Sequence, residues 1–253
     1  MNKRLSILLI LCLLFMLPTQ VHAAPELPAV PGIDIKIGGG DSGSPTETAT
    51  TVQLLLILTV LSVAPAILLL ATSFTRIVIV LSFVRNALAT QQMPPNQVLI
   101  GLALFLTFFI MAPTFAAVNE TAVQPFLQGQ ISQQQALSQA VIPFKEFMAK
   151  QTRAKDLALF LDYMKAERPT SVKDIPLTAL VPAYAISELK TAFQIGFMLF
   201  IPFLVIDMVV SSILMGMGMM MLPPVMISLP FKILLFIMVD GWHLVVKSLL
   251  ASY

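Results

Sequence analysis

The chain has 253 residues, 57% of them hydrophobic and 11% charged, with 15 Lys and Arg against 13 Asp and Glu. Such a balance lies far outside that of soluble domains and predicts an all-α integral membrane protein. A net charge of +2, dispersed along the chain, excludes a nucleic-acid surface.

Met1 to Ala23 carries Lys3 and Arg4, an apolar run from Leu5 to Leu17, Pro18, and a Val21-His22-Ala23 end. This pattern reads as a cleavable signal peptide over residues 1–23, because the apolar run is shorter than the roughly 20 residues a span needs. Cys12 and His22 would leave with it, and His243 would then be the remaining histidine. No disulfide framework, zinc site or thiol nucleophile is left to build, so no metal or cofactor is expected.

Residues 24–51 hold four prolines and the run Gly38-Gly-Gly-Asp-Ser-Gly-Ser-Pro45. They read as a flexible periplasmic tail; the glycines are no phosphate loop, since no Lys-Ser/Thr follows them. Residues 52–119 read as a first helical hairpin. Its first span, Val52 to Thr75, has a kink at Pro65 and runs on through Arg76 and Arg85 to Leu88. The chain turns at Gln91-Gln92-Met93-Pro94-Pro95 and returns as Val98 to Asn119, kinked at Pro113. Arg76 and Arg85 have no acidic neighbour, so the positive-inside rule puts this turn in the cytoplasm.

Residues 120–187 are the most polar part of the mature chain and read as a mainly helical periplasmic segment. Leu157, Phe160, Leu161 and Met164 share one face, with Lys155, Asp156, Asp162 and Lys165 elsewhere, which predicts a short amphipathic helix. An earlier helix is expected from Ser132 to Ala140, with Pro143 opening a new turn around Phe144 and Phe147. Residues 188–253 read as a second hairpin, with spans at Thr191–Met215 and Val225–Leu250. Asp240, Gly241, Trp242, His243 and Lys247 lie near its end, where Trp242 suits an interfacial anchor.

Six of the 15 methionines fall between Met215 and Met226, at the break in this second hairpin. Gly216 and Gly218 weaken the helix there, and Pro223 and Pro224 stop it. If the arms fold back on each other, Asp207 and Lys232 reach the same depth and are candidate ion-pair partners, since either alone near a bilayer centre costs roughly 2.5 to 3.5 kcal/mol. Met217, Met219, Met220 and Met221 form the candidate gate loop within 215–226. Thioether side chains re-pack around different shapes, and non-helical backbone at membrane depth is tolerated when buried or lining a cavity. The plainer alternative is that these methionines fill a helix contact or face lipid.

Two segments, Pro182-Ala-Tyr-Ala-Ile-Ser-Glu-Leu-Lys-Thr-Ala-Phe-Gln-Ile-Gly196 and Pro202-Phe-Leu-Val-Ile-Asp207, closely resemble the signature segments of the FliP family of flagellar export-gate proteins. Ser73-Phe-Thr-Arg-Ile77, Arg85-Asn-Ala-Leu88, Gln91-Gln-Met-Pro-Pro95, Gly218-Met-Met-Met-Leu-Pro-Pro224, Leu229-Pro-Phe-Lys232 and Val239-Asp-Gly-Trp242 are similar to that family's pattern, in its order, over roughly residues 50 to 250. The resemblance implies a homo-oligomer, a pentamer, joined to the sister subunits FliQ and FliR in the flagellar basal body at the bacterial inner membrane. It further implies FlhA and FlhB of the export apparatus as partners, unfolded flagellar proteins as cargo, and a methionine gasket projected onto one axis by several copies. Asp207 and Lys232 would hold the hairpin that presents the loop. Arg76, Arg85, Glu188 and Lys190 are candidates for intersubunit or intrahelical pairing.

Two other classes compete with this reading. An ion-coupled small-molecule transporter would explain Pro-kinked spans with a few buried charges, yet such folds repeat their broken helices in both halves, and this sequence has one Met/Gly/Pro break. An enzyme needs convergent nucleophile, base or metal ligands, and Asp207 and Asp240 lie on different arms.

Overall fold

Proline, glycine and hydroxyl residues punctuate the helices of the computed structural model, which describes residues 54–55, 57–59, 61–63, 66 and 69–253 except Gln91, Glu167 and Met220. The expected signal peptide, the tail and Pro65 of the first span lie outside the described residues. Within them every regular element is helical: α1 (Phe74–Ala87), α2 (Asn96–Val118), a π-turn (Asn119–Val123), α3 (Gln124–Leu127), α4 (Gln133–Gln151), α5 (Ala154–Tyr163), a 3-10 turn (Val172–Asp174), α6 (Leu177–Gly216), α7 (Pro224–Met238) and α8 (Gly241–Ala251).

The first expected span does not run unbroken into Arg76. The chain turns at 71–73, where the Thr72 and Thr75 hydroxyls both donate to the Leu69 carbonyl and divert it from a helical ladder. At the other end of the hairpin, α2 passes through the π-turn into α3, so an apolar helix continues from Asn96 to Leu127, beyond the expected stop at Asn119. The expected break at Pro143 is also absent. α4 opens with a capping box, in which Ser132 accepts from the Gln135 backbone N–H and the Gln135 side chain accepts from that of Ser132, and then carries Pro143 inside it.

α5 starts one residue after Arg153, with Leu161 buried and Met164 exposed at its C-cap. α6 begins at Leu177, ahead of the return expected near residue 190, and runs 40 residues through Pro182 and Pro202. The last expected span divides. α7 and α8 meet at an angle of 64° around Val239 and Asp240. Among the described residues, two helices are long and apolar enough to cross a membrane, Asn96–Leu127 and Leu177–Gly216, or three if α7 and α8 count as one bent span.

α1 is the packing axis. Its Ile77, Val80, Leu81 and Val84 are buried in one cluster with Ala103 of α2, Ala192 and Phe203 of α6, Phe236 of α7, and Val245 and Leu249 of α8. Close approach depends on small residues, since apolar burial against lipid supplies little drive and packing must do so. At Gly196 a Cβ would lie 2.6 Å from the Phe83 ring, so α6 meets α1 where only glycine fits. A second cluster joins Met148, Ile175, Leu180 and Tyr184 around the start of α6.

Candidate gate loop and its charged supports

α6 ends in a Schellman motif. Gly218, at φ +73°, donates its N–H to the Met215 carbonyl, and the Met219 N–H reaches back to Leu214 at 3.0 Å. α7 then starts with Pro223 as N-cap and Pro224 in the first turn, where a missing N–H costs nothing. Glycine and proline therefore fix both ends of a short loop, and its methionines project outward: Met217 and Met219 are about half exposed and Met221 is 97% exposed. Met220 lies outside the described residues. Beneath the loop, Val209, Ile213, Leu214, Met217, Ile227 and Phe231 line an apolar cleft of about 450 Å³ between the two arms.

The arms are tied alongside that cleft, whose lining extends along α6 to Val205 and Ile206. Lys232 Nζ donates to Asp207 Oδ2 at 2.6 Å, and the Ser228 hydroxyl donates to Asp207 Oδ1 at 2.5 Å. The ammonium is buried while the carboxylate is partly open, 2% against 29% exposed. Ser228 was not singled out in the sequence. Its place four residues before Lys232, on the same helical face, was the available signal.

Arg76 and Glu188 form a second, fully buried pair between α1 and α6, with Arg76 Nε 2.8 Å from Glu188 Oε2 and Nη2 bonded to Oε1. Nη2 also donates to Gln151 of α4 at 3.2 Å. Nη1 donates to the Ser252 carbonyl at 2.7 Å and to its hydroxyl at 3.0 Å. Every N–H of the guanidinium thus has an acceptor, as burial of a permanent charge demands. Tyr253 lies with its ring 3.9 Å from the guanidinium carbon and donates its hydroxyl to Glu188 Oε2 at 2.9 Å. Gln151, Ser252 and Tyr253 carried no local signal of this role, because their partner is far away in sequence.

Arg85 and Lys190 go elsewhere. Arg85 donates to Asn96 Oδ1 at 2.5 Å and bridges the α1–α2 turn. Lys190 is exposed and belongs to none of the ion pairs among the described residues. Near it, Ser187 pins α5 to α6: it accepts from the Arg153 N–H at 3.1 Å and donates to Asp156 Oδ2 at 2.6 Å. That hydroxyl, with Arg153 beside it, holds the Asp156 carboxyl below its usual range.

Residues 57–249 match the FliP family, a stretch containing the loop, both of its arms and both members of each of these two ion pairs. The chain belongs to the FliP family. It is 70% identical over 212 residues to the flagellar biosynthetic protein FliP of Bacillus subtilis, covering 84% of this chain and 96% of that relative. Flagellar biosynthetic protein FliP of Aquifex aeolicus is 49% identical over 227 residues, covering 88% and 92%. That of Treponema denticola is 42% identical over an alignment spanning all of both chains. As a FliP-family chain the protein presents two charge nodes in opposite halves of α6, one under the methionine loop and one where the ends of α4 and α8 converge on Arg76.

Proposed function

We propose that this chain is a pore-forming core subunit of the flagellar type III protein export gate, passing unfolded flagellar subunits across the inner membrane. The observation that carries the reading is the loop between Gly218 and Pro223, which holds exposed thioethers outward from a hairpin braced by a partly buried charge pair. One copy has nothing to close against. Several copies around an axis, as a pentamer with FliQ and FliR and served by FlhA and FlhB, would bring the loops together into a ring of soft apolar side chains. Water and ions are excluded by such a constriction, and a passing chain is accommodated because methionine re-packs without demanding one shape. Asp207, Ser228 and Lys232 keep the two arms in register so that the loop holds its height. The chain itself carries out no covalent chemistry.

The test is ion leak across the membrane, with export of a flagellar substrate scored alongside, after replacing Met219, Met220 and Met221 together with alanine. Increased leak from a complex that still assembles is the expected result. Unchanged leak with normal export would return these methionines to ordinary packing.

A further inference from the structure

A loop built from methionine has a chemistry that a loop of leucines would lack. The thioether sulfur accepts one oxygen atom from a peroxide: its lone pair attacks, the O–O bond breaks and an S–O bond forms, so that sulfur is oxidised by two electrons while the peroxide is reduced to water. An apolar, adaptable side chain becomes a polar sulfoxide. The oxidant must first reach the sulfur, and the folded chain grants that access unequally. Met111 and Met148 are 0% and 2% exposed within the helical packing, whereas Met217 and Met219 are open at the loop and Met221 stands clear of it.

A sulfoxide oxygen is a hydrogen-bond acceptor, and the loop has few donors to offer it. The N–H groups of Met217, Gly218, Met219 and Leu222 already donate to the carbonyls of Ile213, Met215, Leu214 and Met219. Pro223 and Pro224 have no N–H. The Ser228 hydroxyl and the Lys232 ammonium are engaged by Asp207. The cleft that Met217 lines is otherwise walled by valine, isoleucine, leucine and phenylalanine side chains. An oxidised loop therefore draws water to its new oxygens, because burying them without a partner is unfavourable. We infer, on the reading of this loop as a seal, that Met217, Met219 and Met221 form a reversible oxidation site, at which peroxide turns an apolar constriction into a wetted, leaking one. A thiol-dependent methionine sulfoxide reductase restores it, releasing the oxygen as water while two thiols are oxidised to a disulfide.

The experiment treats membranes carrying the assembled complex with hydrogen peroxide and reads two quantities: the oxygen added at each methionine, by peptide mass spectrometry, and the ion leak across the same membranes. Sulfoxide is expected first at Met221 and not at Met111 or Met148, with the leak rising to that of the Met219, Met220 and Met221 alanine variant. Met93, 67% exposed at the α1–α2 turn, is the control for exposure alone. It is oxidised as well, and Met93→Leu leaves the peroxide-induced leak unchanged. A chain carrying Met217→Leu, Met219→Leu, Met220→Leu and Met221→Leu keeps every other methionine; whatever its starting leak, peroxide adds nothing to it. Reductases for both sulfoxide epimers, supplied with dithiothreitol, return the oxidised wild-type membranes to their starting leak. Absence of sulfoxide at Met221 while Met93 is oxidised overturns the site, as does a peroxide-induced leak that persists in the leucine chain or resists the reductases. Sulfoxide at Met221 with no added leak overturns the switch alone where the alanine variant leaks, and an alanine variant that stays tight removes the seal itself.

Discussion

Gly218 occupies the one backbone position of the loop where side-chain chemistry is secondary to conformation. Its φ of +73° closes the Schellman motif, and nothing lies within 4 Å of where a Cβ would be, so the cost of a side chain there is purely conformational. Gly218→Ala is expected to lower stability by about 1 kcal/mol, read as a drop in thermal unfolding temperature of the purified chain. An unchanged midpoint would mean that the loop relaxes around the substitution. This residue was legible in the sequence because a glycine two residues beyond an apolar helix and five before a proline is a helix stop in its own right. Tyr253 was not legible. An aromatic residue beyond a helix end says nothing about an arginine 177 positions earlier, and such pairings come only from the folded chain.

Two helices and one charge pair make the hairpin of α6 and α7, and there the sequence did indicate a partner. Equal spacing from the break brings Asp207 and Lys232 to one depth, and the structure sets their charged atoms 2.6 Å apart. Because the carboxylate is partly open, removing the lysine costs less than breaking a fully buried pair: Lys232→Met is expected to destabilise the hairpin by about 1 to 3 kcal/mol. Asp207→Lys with Lys232→Asp should recover most of the assembly lost in either single variant, scored by copurification of the complex. Assembly that stays lost in the exchanged chain would show that orientation, including the Ser228 hydrogen bond, matters more than the charge product. Elements were harder to bound than to find. Pro143, Pro182 and Pro202 all sit inside helices, where each removes a single N–H and packing over the rest of the helix outweighs the local loss. The bend at Asp240 has a local signal that a run of apolar residues on either side obscures, since Asp240-Gly241 is a turn dipeptide and Asp240 adopts the left-handed conformation at φ +51°.

At the scale of the whole molecule, α1 is the member around which α2, α6, α7 and α8 close, and at Gly196 the backbone of α6 lies against Phe83 of α1. Gly196→Ala is expected to cost roughly 1 to 3 kcal/mol by overpacking against Phe83, measured by thermal unfolding. Phe83→Ala in the same chain should return part of that loss, because it vacates the volume the new methyl enters. Absence of any recovery would place the strain elsewhere. The helical, membrane-compatible character of the fold was legible from composition alone, and the loop and its brace from glycine, proline and charge spacing. The convergence of three other segments on Arg76 was not, since it is a property of the assembled tertiary structure and no periodicity encodes it.

That convergence also sets a clock on the molecule's own production. Arg76 and its Nη1 acceptor are 176 residues apart, and at 5 to 20 residues per second the ribosome needs about 10 to 35 seconds to supply one to the other. For that interval a permanently charged guanidinium has emerged on an otherwise apolar helix without its full set of acceptors. Any nascent chain cut short before Ser252 would keep the deficit indefinitely, so an incomplete translation product carries its own mark of incompleteness in α1, at the axis of the packing, long before a neighbouring subunit tries to join it.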